Sequence, residues 1–217
     1  MLEVKVASKF KKSTNSIRDL IIKEIDIVIK TYKMFITFLE KSETEIDLHV
    51  VRENENEINY IDKKIVEDVY FELTKGPVAK DLRRLLSYLF ISKDVERVAD
   101  STPKVSKFLV DFSGDIKDKK YFIKIFKEIV KIYEKSIELI KSEDSSLITA
   151  EHEKDLVVYE IYSNTFKNIL ELTKGNQKSE FISSLLVILK TTERLGDYYK
   201  NILEQLFYIS TGNYLGD

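Results

Sequence analysis

Apolar residues recur at helical spacing along most of the chain. Ile21, Val28 and Phe35 stand seven residues apart and fall on one side of a helix. Five further segments show the same period, and none alternates polar and apolar residues as a strand would. The pattern predicts six helices, at about Ser8 to Glu40, Arg52 to Thr74, Val78 onward, Tyr121 to Lys141, Ser146 to Thr173, and from after Ser179 to Thr211.

Helix-breaking and polar stretches divide these helices into two sets of three. Gly76 and Pro77 end the second helix, because glycine permits a C-cap and proline cannot continue the turn. The polar stretch at 111–120 separates the halves, and residues 174–179 break the second half again. The order of long helices, repeated twice, predicts a duplicated three-helix unit with halves at residues 1–112 and 113–217.

The composition narrows the classes of function. Among 217 residues there are only 6 Gly and 2 Pro, which suits helices, and no Cys, which excludes disulfides, thiolate metal sites and cysteine nucleophiles. A net charge of −2 argues against nucleic acid as the main partner. No signal peptide or apolar span is visible, so we expect a soluble cytoplasmic protein.

A charged signature recurs in register in the third helix of each half. The spacing is 97 residues, and a register match of this kind is more specific than any pair of acids four residues apart. The first copy is Lys93, Glu96, Arg97 and Asp100, and the second is Lys190, Glu193, Arg194 and Asp197.

Helical angles predict where these acids point. At 100° per residue, Glu96 and Asp100 lie at the centre of an apolar stripe, and Glu193 and Asp197 flank another. The two stripes consist of Leu82, Leu85, Leu86 and Leu89, and of Ile182, Leu186 and Leu189. We therefore expect the four carboxylates to continue a buried face, where they need partners.

The second helix of each half offers those partners. In the second half, Glu151 and Asp155 lie on the apolar side of their helix. In the first half, Glu55 and Asn59 stand 96 residues before these two positions, and Asp62 points the same way. Glu53 and Glu57 point away from the apolar side, and we expect them to face solvent.

Two explanations for the clustered acids remain open. In the first, Arg97, Arg194 and nearby lysines neutralise the acids as ion pairs. In the second, the acids share a metal, and an all-oxygen set suits Mg, Mn or Fe better than structural Zn. Neither His49 nor His152 follows a Glu by three residues, so the paired Glu-x-x-His set of di-iron bundles is missing. His152 is expected to be exposed, with an accessory ligand role as the alternative.

The segments DVERVAD at 94–100, TTERLGDYYKNI at 191–202 and KDLRRLL at 80–86 resemble the PhoU family of bacterial phosphate-signalling regulators. The resemblance covers nearly the whole chain. It implies an all-α fold of two pseudo-symmetric antiparallel three-helix bundles. It also implies multinuclear metal sites, with iron or zinc in some members, one per repeat. Carried over, the ligands are Glu55, Asn59, Glu96 and Asp100 in the first half, and Glu151, Asp155, Glu193 and Asp197 in the second.

This chain departs from the family pattern in its first half. Asn59 stands where a carboxylate is common, and Lys104 stands where Asn201 matches the family in the second half. Pro103, just before Lys104, is expected to interrupt the third helix.

The resemblance implies a regulator that is not an enzyme. Such a protein restrains a phosphate ABC transporter and, where one exists, its partner sensor histidine kinase, and it reaches the inner face of the membrane through these partners. The sequence leaves open whether it forms a homodimer. The alternatives are a metal-dependent hydrolase that uses the carboxylates, and a helical adaptor without metal. Phosphoesterase activity would favour the hydrolase, and indifference of the melting temperature to every divalent ion would favour the adaptor.

Overall fold

A computed structural model describes residues 2–41, 45–111, 119–154, 167 and 179–215. All regular structure in this part of the chain is helical, which confirms the predicted fold class. The helices are α1 (Leu2–Glu40), α2 (Leu48–Leu73), α3 (Ala79–Ala99), α4 (Thr102–Asp111), α5 (Lys119–Ser142), α6 (Ser145–His152) and α7 (Ser179–Thr211). The fifth predicted helix begins where expected, as α6, and most of its remainder lies outside the described residues.

Local capping sets the ends of α2. The Asp47 carboxylate accepts hydrogen bonds from the backbone N–H groups of His49 and Val50, at 2.8 and 3.4 Å, so α2 begins earlier than the apolar period indicates. At the other end, Gly76 adopts a φ of 67°, and its N–H donates to the Leu73 carbonyl at 3.2 Å. The predicted glycine stop is confirmed.

Pro103 divides the third predicted helix into α3 and α4, as expected. Proline lacks the N–H that would bond the Ala99 carbonyl four residues earlier. The Thr102 hydroxyl bonds that carbonyl instead, at 2.8 Å, and the Ser101 hydroxyl bonds the Val98 carbonyl at 2.6 Å. The interruption therefore leaves these two carbonyls with partners in a buried part of the fold.

The helices pack as two bundles that share one core. In the first half α1, α2 and α3 contact one another, and in the second half α7 contacts α5 and α6. Across the halves, α1 packs on α5 and α3 packs on α7. First helix meets first helix and third meets third, as a pseudo-twofold axis requires.

Aromatic side chains join the halves where α1 meets α5. The ring of Phe126, from α5, lies 5.5 Å from that of Tyr32 and 5.9 Å from that of Phe35, both from α1. All three side chains are buried. One edge-on and one tilted contact between buried rings add to the hydrophobic stabilisation of this joint.

The predicted buried face of α3 is wrong in part. Leu85 is buried, but Leu82 and Leu86 are 38% and 37% exposed. The core face of α3 instead comprises Leu85, Tyr88, Ile91, Val95 and Val98. The reason is tertiary packing. Because α3 contacts α1, α2 and α7 at once, these three helices determine which of its faces is buried, and the leucine spacing within α3 does not predict that face.

Glu96, Asp100, Glu193 and Asp197 accordingly do not continue a fully buried face. Glu96 and Glu193 are half-buried, and Asp100 and Asp197 are exposed. None of the described helices is long and apolar enough to cross a lipid bilayer.

We predict that the substitution Phe126→Ala lowers the free energy of unfolding by about 3–5 kcal/mol, because it leaves a cavity in the joint between the halves. Urea denaturation of both proteins measures the change. Leu147, which is exposed on α6, supplies a control, and Leu147→Ala should change the free energy by less than about 0.5 kcal/mol. Similar losses in the two variants would contradict the assignment of Phe126 to the joint.

Candidate functional site

The first-half acids lie near the end of α3. Glu96 belongs to its last turn, and Asp100 caps the helix by donating its backbone N–H to the Glu96 carbonyl at 2.9 Å. Burial raises the pKa of the Glu96 carboxyl, and the nearby Asp100 carboxylate raises it further. The Asp100 carboxylate therefore acts electrostatically on Glu96.

The predicted partners on α2 are placed differently from one another. Glu55 is half-buried, and its carboxylate lies 3.4 Å from a guanidinium nitrogen of Arg52. The Asn59 side-chain oxygen is buried and has no hydrogen-bond partner among the described residues. Glu53 and Glu57 are exposed, which confirms that they face solvent.

A buried acid that the sequence analysis missed lies behind this cluster. Glu24, on α1, is fully buried, and its Oε1 lies 3.1 Å from the Ser92 hydroxyl of α3. The same hydroxyl lies 3.1 Å from Asp62 Oδ1, and Lys93 lies 2.5 Å from Asp62 Oδ2. Three helices therefore meet in a row of polar side chains that runs from the core to the surface.

One hydroxyl hydrogen cannot serve two carboxylates, so this row needs a proton on one of the acids. Burial raises the pKa of Glu24 well above its usual range, and the carboxylates of Asp62 and Glu96 add to the shift. Lys93 provides a positive charge for Asp62, whereas Glu24 Oε2 is buried without a partner among the described residues. The consistent arrangement is a neutral Glu24 that donates to Ser92, which donates to Asp62.

The second-half acids make local ion pairs. Glu193 pairs with Lys190, and Glu151 lies 3.4 Å from Lys154. Asp197 is exposed, and Asp155 lies outside the described residues.

His152 is half-buried, so its expected exposure is wrong. Its Nε2 atom is buried and has no hydrogen-bond partner in the described part of the chain. The histidine follows Glu151 directly at the end of α6, and part of its ring is shielded from water.

Among the described residues, neither signature arginine forms an ion pair with a signature acid, although Arg97 lowers the pKa of Glu96 from a distance. Arg97 pairs with Asp94, at 2.9 Å, and Asn201 of α7 also hydrogen-bonds Asp94. No carboxylate among the described residues lies within ion-pair distance of Arg194. Asp94 and Arg97 are three residues apart on one helix, a spacing that allows an ion pair and is visible in the sequence. The repeat does not reveal this pair, because Thr191 stands at the position equivalent to Asp94.

The capacity of the site for metal follows from these placements. Within the ranges that the structure describes, no three Asp, Glu or His side chains lie together closely enough to hold a metal ion. Glu55 is held by Arg52, away from such a set. The second-half set includes Asp155 and so lies in part outside the described residues.

Comparison with known proteins places the chain in a wider group. A family model described as the PhoU domain matches it twice, over residues 21–109 and 122–206. The phosphate-specific transport system accessory protein PhoU homolog of Borreliella burgdorferi is 21% identical over 95% of this chain and 97% of its own length. Homolog 1 of that accessory protein in Thermotoga maritima is 26% identical over 75% of this chain and 72% of its own length.

Solved structures share the architecture. The crystal structure of the phosphate transport system regulatory protein PhoU from Streptococcus pneumoniae has a TM-score of 0.83 at 19% identity, covering 96% of this chain and 100% of that one. PhoU from Pseudomonas aeruginosa gives 0.74 at 18% identity, over 98% and 100%. These likenesses show the fold.

We predict that Glu24→Gln flattens the dependence of stability on pH. A carboxyl whose folded pKa is raised stabilises the protein fully below its unfolded pKa, and that contribution is lost as pH rises through the folded value. The wild-type melting temperature should therefore decline above about pH 4.3, the ordinary glutamate pKa, more steeply than that of the E24Q variant.

Melts across the pH range, with Glu57→Gln as a control that removes an exposed carboxylate, measure the difference. A constant offset between wild type and E24Q at every pH would show that Glu24 does not carry the proton.

Proposed function

The chain belongs to the PhoU family, and from this premise we propose that it is an accessory protein of a phosphate transport system. It restrains a phosphate ABC transporter by docking on it at the inner face of the membrane. Where the cell has a sensor histidine kinase for phosphate, the same protein restrains it as well. The names of the relatives, in which phosphate transport recurs, support this assignment.

An exposed apolar surface on α2 and α3, which we call the docking face, carries the proposal. Leu82, Leu86 and Phe90 follow one another at four-residue spacing on α3, and Phe90 is 54% exposed. Leu89 and Phe90 line a groove with Val66 and Tyr70 of α2. Exposed apolar groups of this kind gain free energy when a partner covers them.

The second half repeats part of the docking face. Leu186 and Val187 stand 97 residues after Leu89 and Phe90, and Val187 is 55% exposed. Equivalent positions of the two halves therefore both carry an exposed apolar side chain, which is consistent with each half binding a partner in the same way. Lys63 and Lys93 edge the groove together with Asp62 and Glu67, and Lys93 is paired with Asp62, so the charges balance and the apolar side chains carry the proposed contact.

We predict that Phe90→Asp, combined with Val187→Asp, abolishes capture of the transporter's cytoplasmic subunits from native membranes. A carboxylate in a covered apolar patch cannot be desolvated without cost, so binding should fall at least about tenfold. Mass spectrometry of the co-purified proteins provides the readout. Leu147→Asp, which alters an exposed apolar residue of α6, should capture normally.

Equal capture by the double variant would rule out this face, and capture of no transporter subunit by the wild type would rule out the partner.

We also propose that the repeated carboxylates bind metal, as iron, zinc, manganese or magnesium sites. In the first half, Glu96 and Asp100 would hold the ion with Glu55 and Asn59. The buried Asn59 oxygen lacks a partner among the described residues, and a cation would relieve the mutual repulsion of Glu96 and Asp100. Glu55 would have to leave Arg52 to join them.

In the second half, Glu151, Asp155, Glu193 and Asp197 would form the corresponding set. Glu193 would exchange Lys190 for the metal, and Glu151 would exchange Lys154. The His152 Nε2 atom, which has no hydrogen-bond partner among the described residues, is a further candidate ligand beside Glu151.

We predict that Asp197→Asn removes the stabilisation that divalent ions provide and leaves the metal-free protein unharmed or slightly more stable. The substitution keeps the volume and removes one anionic ligand. Melting temperatures with each divalent ion and with chelator give the comparison, and Glu53→Gln, an exposed acid, is the control. An equal loss of stability with and without metal would favour an ion-pair role for Asp197.

A further inference from the structure

A cavity of about 210 Å³ lies between the two halves, where the junction of α3 and α4 meets α7. Its charged lining consists of Arg97, Asp100, Lys104 and Arg194, and the ring of Tyr198 forms part of the wall. Of the three cations, Arg97 has a carboxylate partner in Asp94, whereas the side chains of Arg194 and Lys104 have none among the described residues.

The cavity lies at the pseudo-twofold axis that relates the two halves. Arg97 and Arg194 are 97 residues apart, and so are Ser101 and Tyr198, which also line the cavity. Residues that are equivalent in the two halves meet only at the axis that relates them. The repeated signature therefore brings two guanidinium groups to one place.

These cations have hydrogen-bond donors to spare. A guanidinium has five N–H donors, and Arg97 uses one nitrogen, Nη1, to bond Asp94 at 2.9 Å. Arg97 also lies 6.0 Å from the centre of the Tyr198 ring, and these two contacts help to fix its position. Arg194 and Lys104 have no hydrogen-bond or ion-pair partner in the described part of the chain.

The charge balance of the cavity favours an anion. Three cationic side chains face one carboxylate, Asp100, and the cavity stays positive when the buried partner Asp94 is also counted. The first turn of α4, which contains Lys104, adds the positive end of a helix of ten residues. The hydroxyls of Ser101 and Thr191 donate to backbone carbonyls, so they add little to this balance.

We propose that this cavity binds inorganic phosphate. Two arginine forks and a lysine match the oxygens of a tetrahedral oxyanion. The volume is below the range of about 300–1,000 Å³ that is usual for drug-sized ligands, which favours a small ion over a nucleotide. Asp100 adds selectivity: phosphate keeps a proton near neutral pH and can donate it in a hydrogen bond to a carboxylate, whereas sulfate has none.

Phosphate in this position would bridge the α3–α4 junction and α7, and so tie the two halves together. The bound form gains stability by mass action, in proportion to the logarithm of the phosphate concentration once the site fills. This assignment rests on the proposed function in one respect: it supplies the signal that a regulator of phosphate transport must read.

Isothermal titration calorimetry of the full chain, in chelator and at constant ionic strength, tests the site with inorganic phosphate, sulfate and adenosine monophosphate. We expect saturable binding of one phosphate per chain, with weaker binding of the other two ligands. Arg194→Gln and Lys104→Gln should each weaken phosphate binding at least about tenfold, because each removes a charged donor. Asp100→Asn should narrow the preference for phosphate over sulfate.

Arg52→Gln, which alters an exposed arginine of α2, is the matched control and should bind phosphate as the wild type does. Melts without phosphate should show R194Q and K104Q folded like the wild type, since neither side chain has a partner in the described part of the chain.

Absence of saturable binding, or unchanged affinity in R194Q and K104Q, would overturn the proposal. Tighter binding of the nucleotide than of phosphate would overturn the assignment to the free ion. Phosphate binding by a protein that captures no transporter would support this site and count against the docking partner alone.

Discussion

The structure depends on the packing of α3 against helices of both halves. This helix contacts α1 and α2 within its own bundle and α7 across the boundary. With neighbours on three sides, its buried arc takes in Tyr88, Ile91 and Val95, and the side chains left outside include Leu82, Leu86 and Phe90. The docking face is thus a direct result of how the two bundles join.

The same packing determines which charged side chains are buried. Toward α1 and α2, α3 presents Ser92 to Glu24 and Asp62, where burial raises the pKa of Glu24 and Lys93 pairs with Asp62. Toward α7 it presents Asp94, which Arg97 and Asn201 compensate. Buried charges are tolerated only with such partners, so these contacts constrain how α3 can sit between the bundles.

Much of the fold could be predicted because it depends on local features of the sequence. Helical periodicity, the glycine at position 76 and Pro103 each act within a few residues, and the structure confirms what they predict. The face of α3 could not be predicted, because it is chosen by helices distant in sequence. Glu24 escaped notice for the same reason: it is one acid in an apolar helix, and its partner Ser92 lies 68 residues away.

The candidate site divides in a similar way. The repeat singled out Glu96 and Asp100, and Asp100 raises the pKa of Glu96; it also marked Arg97 and Arg194, which one of the two explanations made ion-pair partners of the acids. The ion-pair partner of Arg97 is Asp94, which is not part of the repeat, because Thr191 stands at the equivalent position of the second copy. Contacts that belong to one half alone, such as the Asp94–Arg97 pair, leave no trace in the repeat.

Cells can test directly the proposal that the docking face restrains phosphate transport. The most direct measurement is the rate of phosphate uptake at high external phosphate, in cells that lack the protein and are supplied with the wild type or with the Phe90→Asp and Val187→Asp double variant at equal folded levels. We expect the wild type to lower uptake and the double variant to leave it as high as in cells without the protein. Equal restraint by both proteins would contradict it.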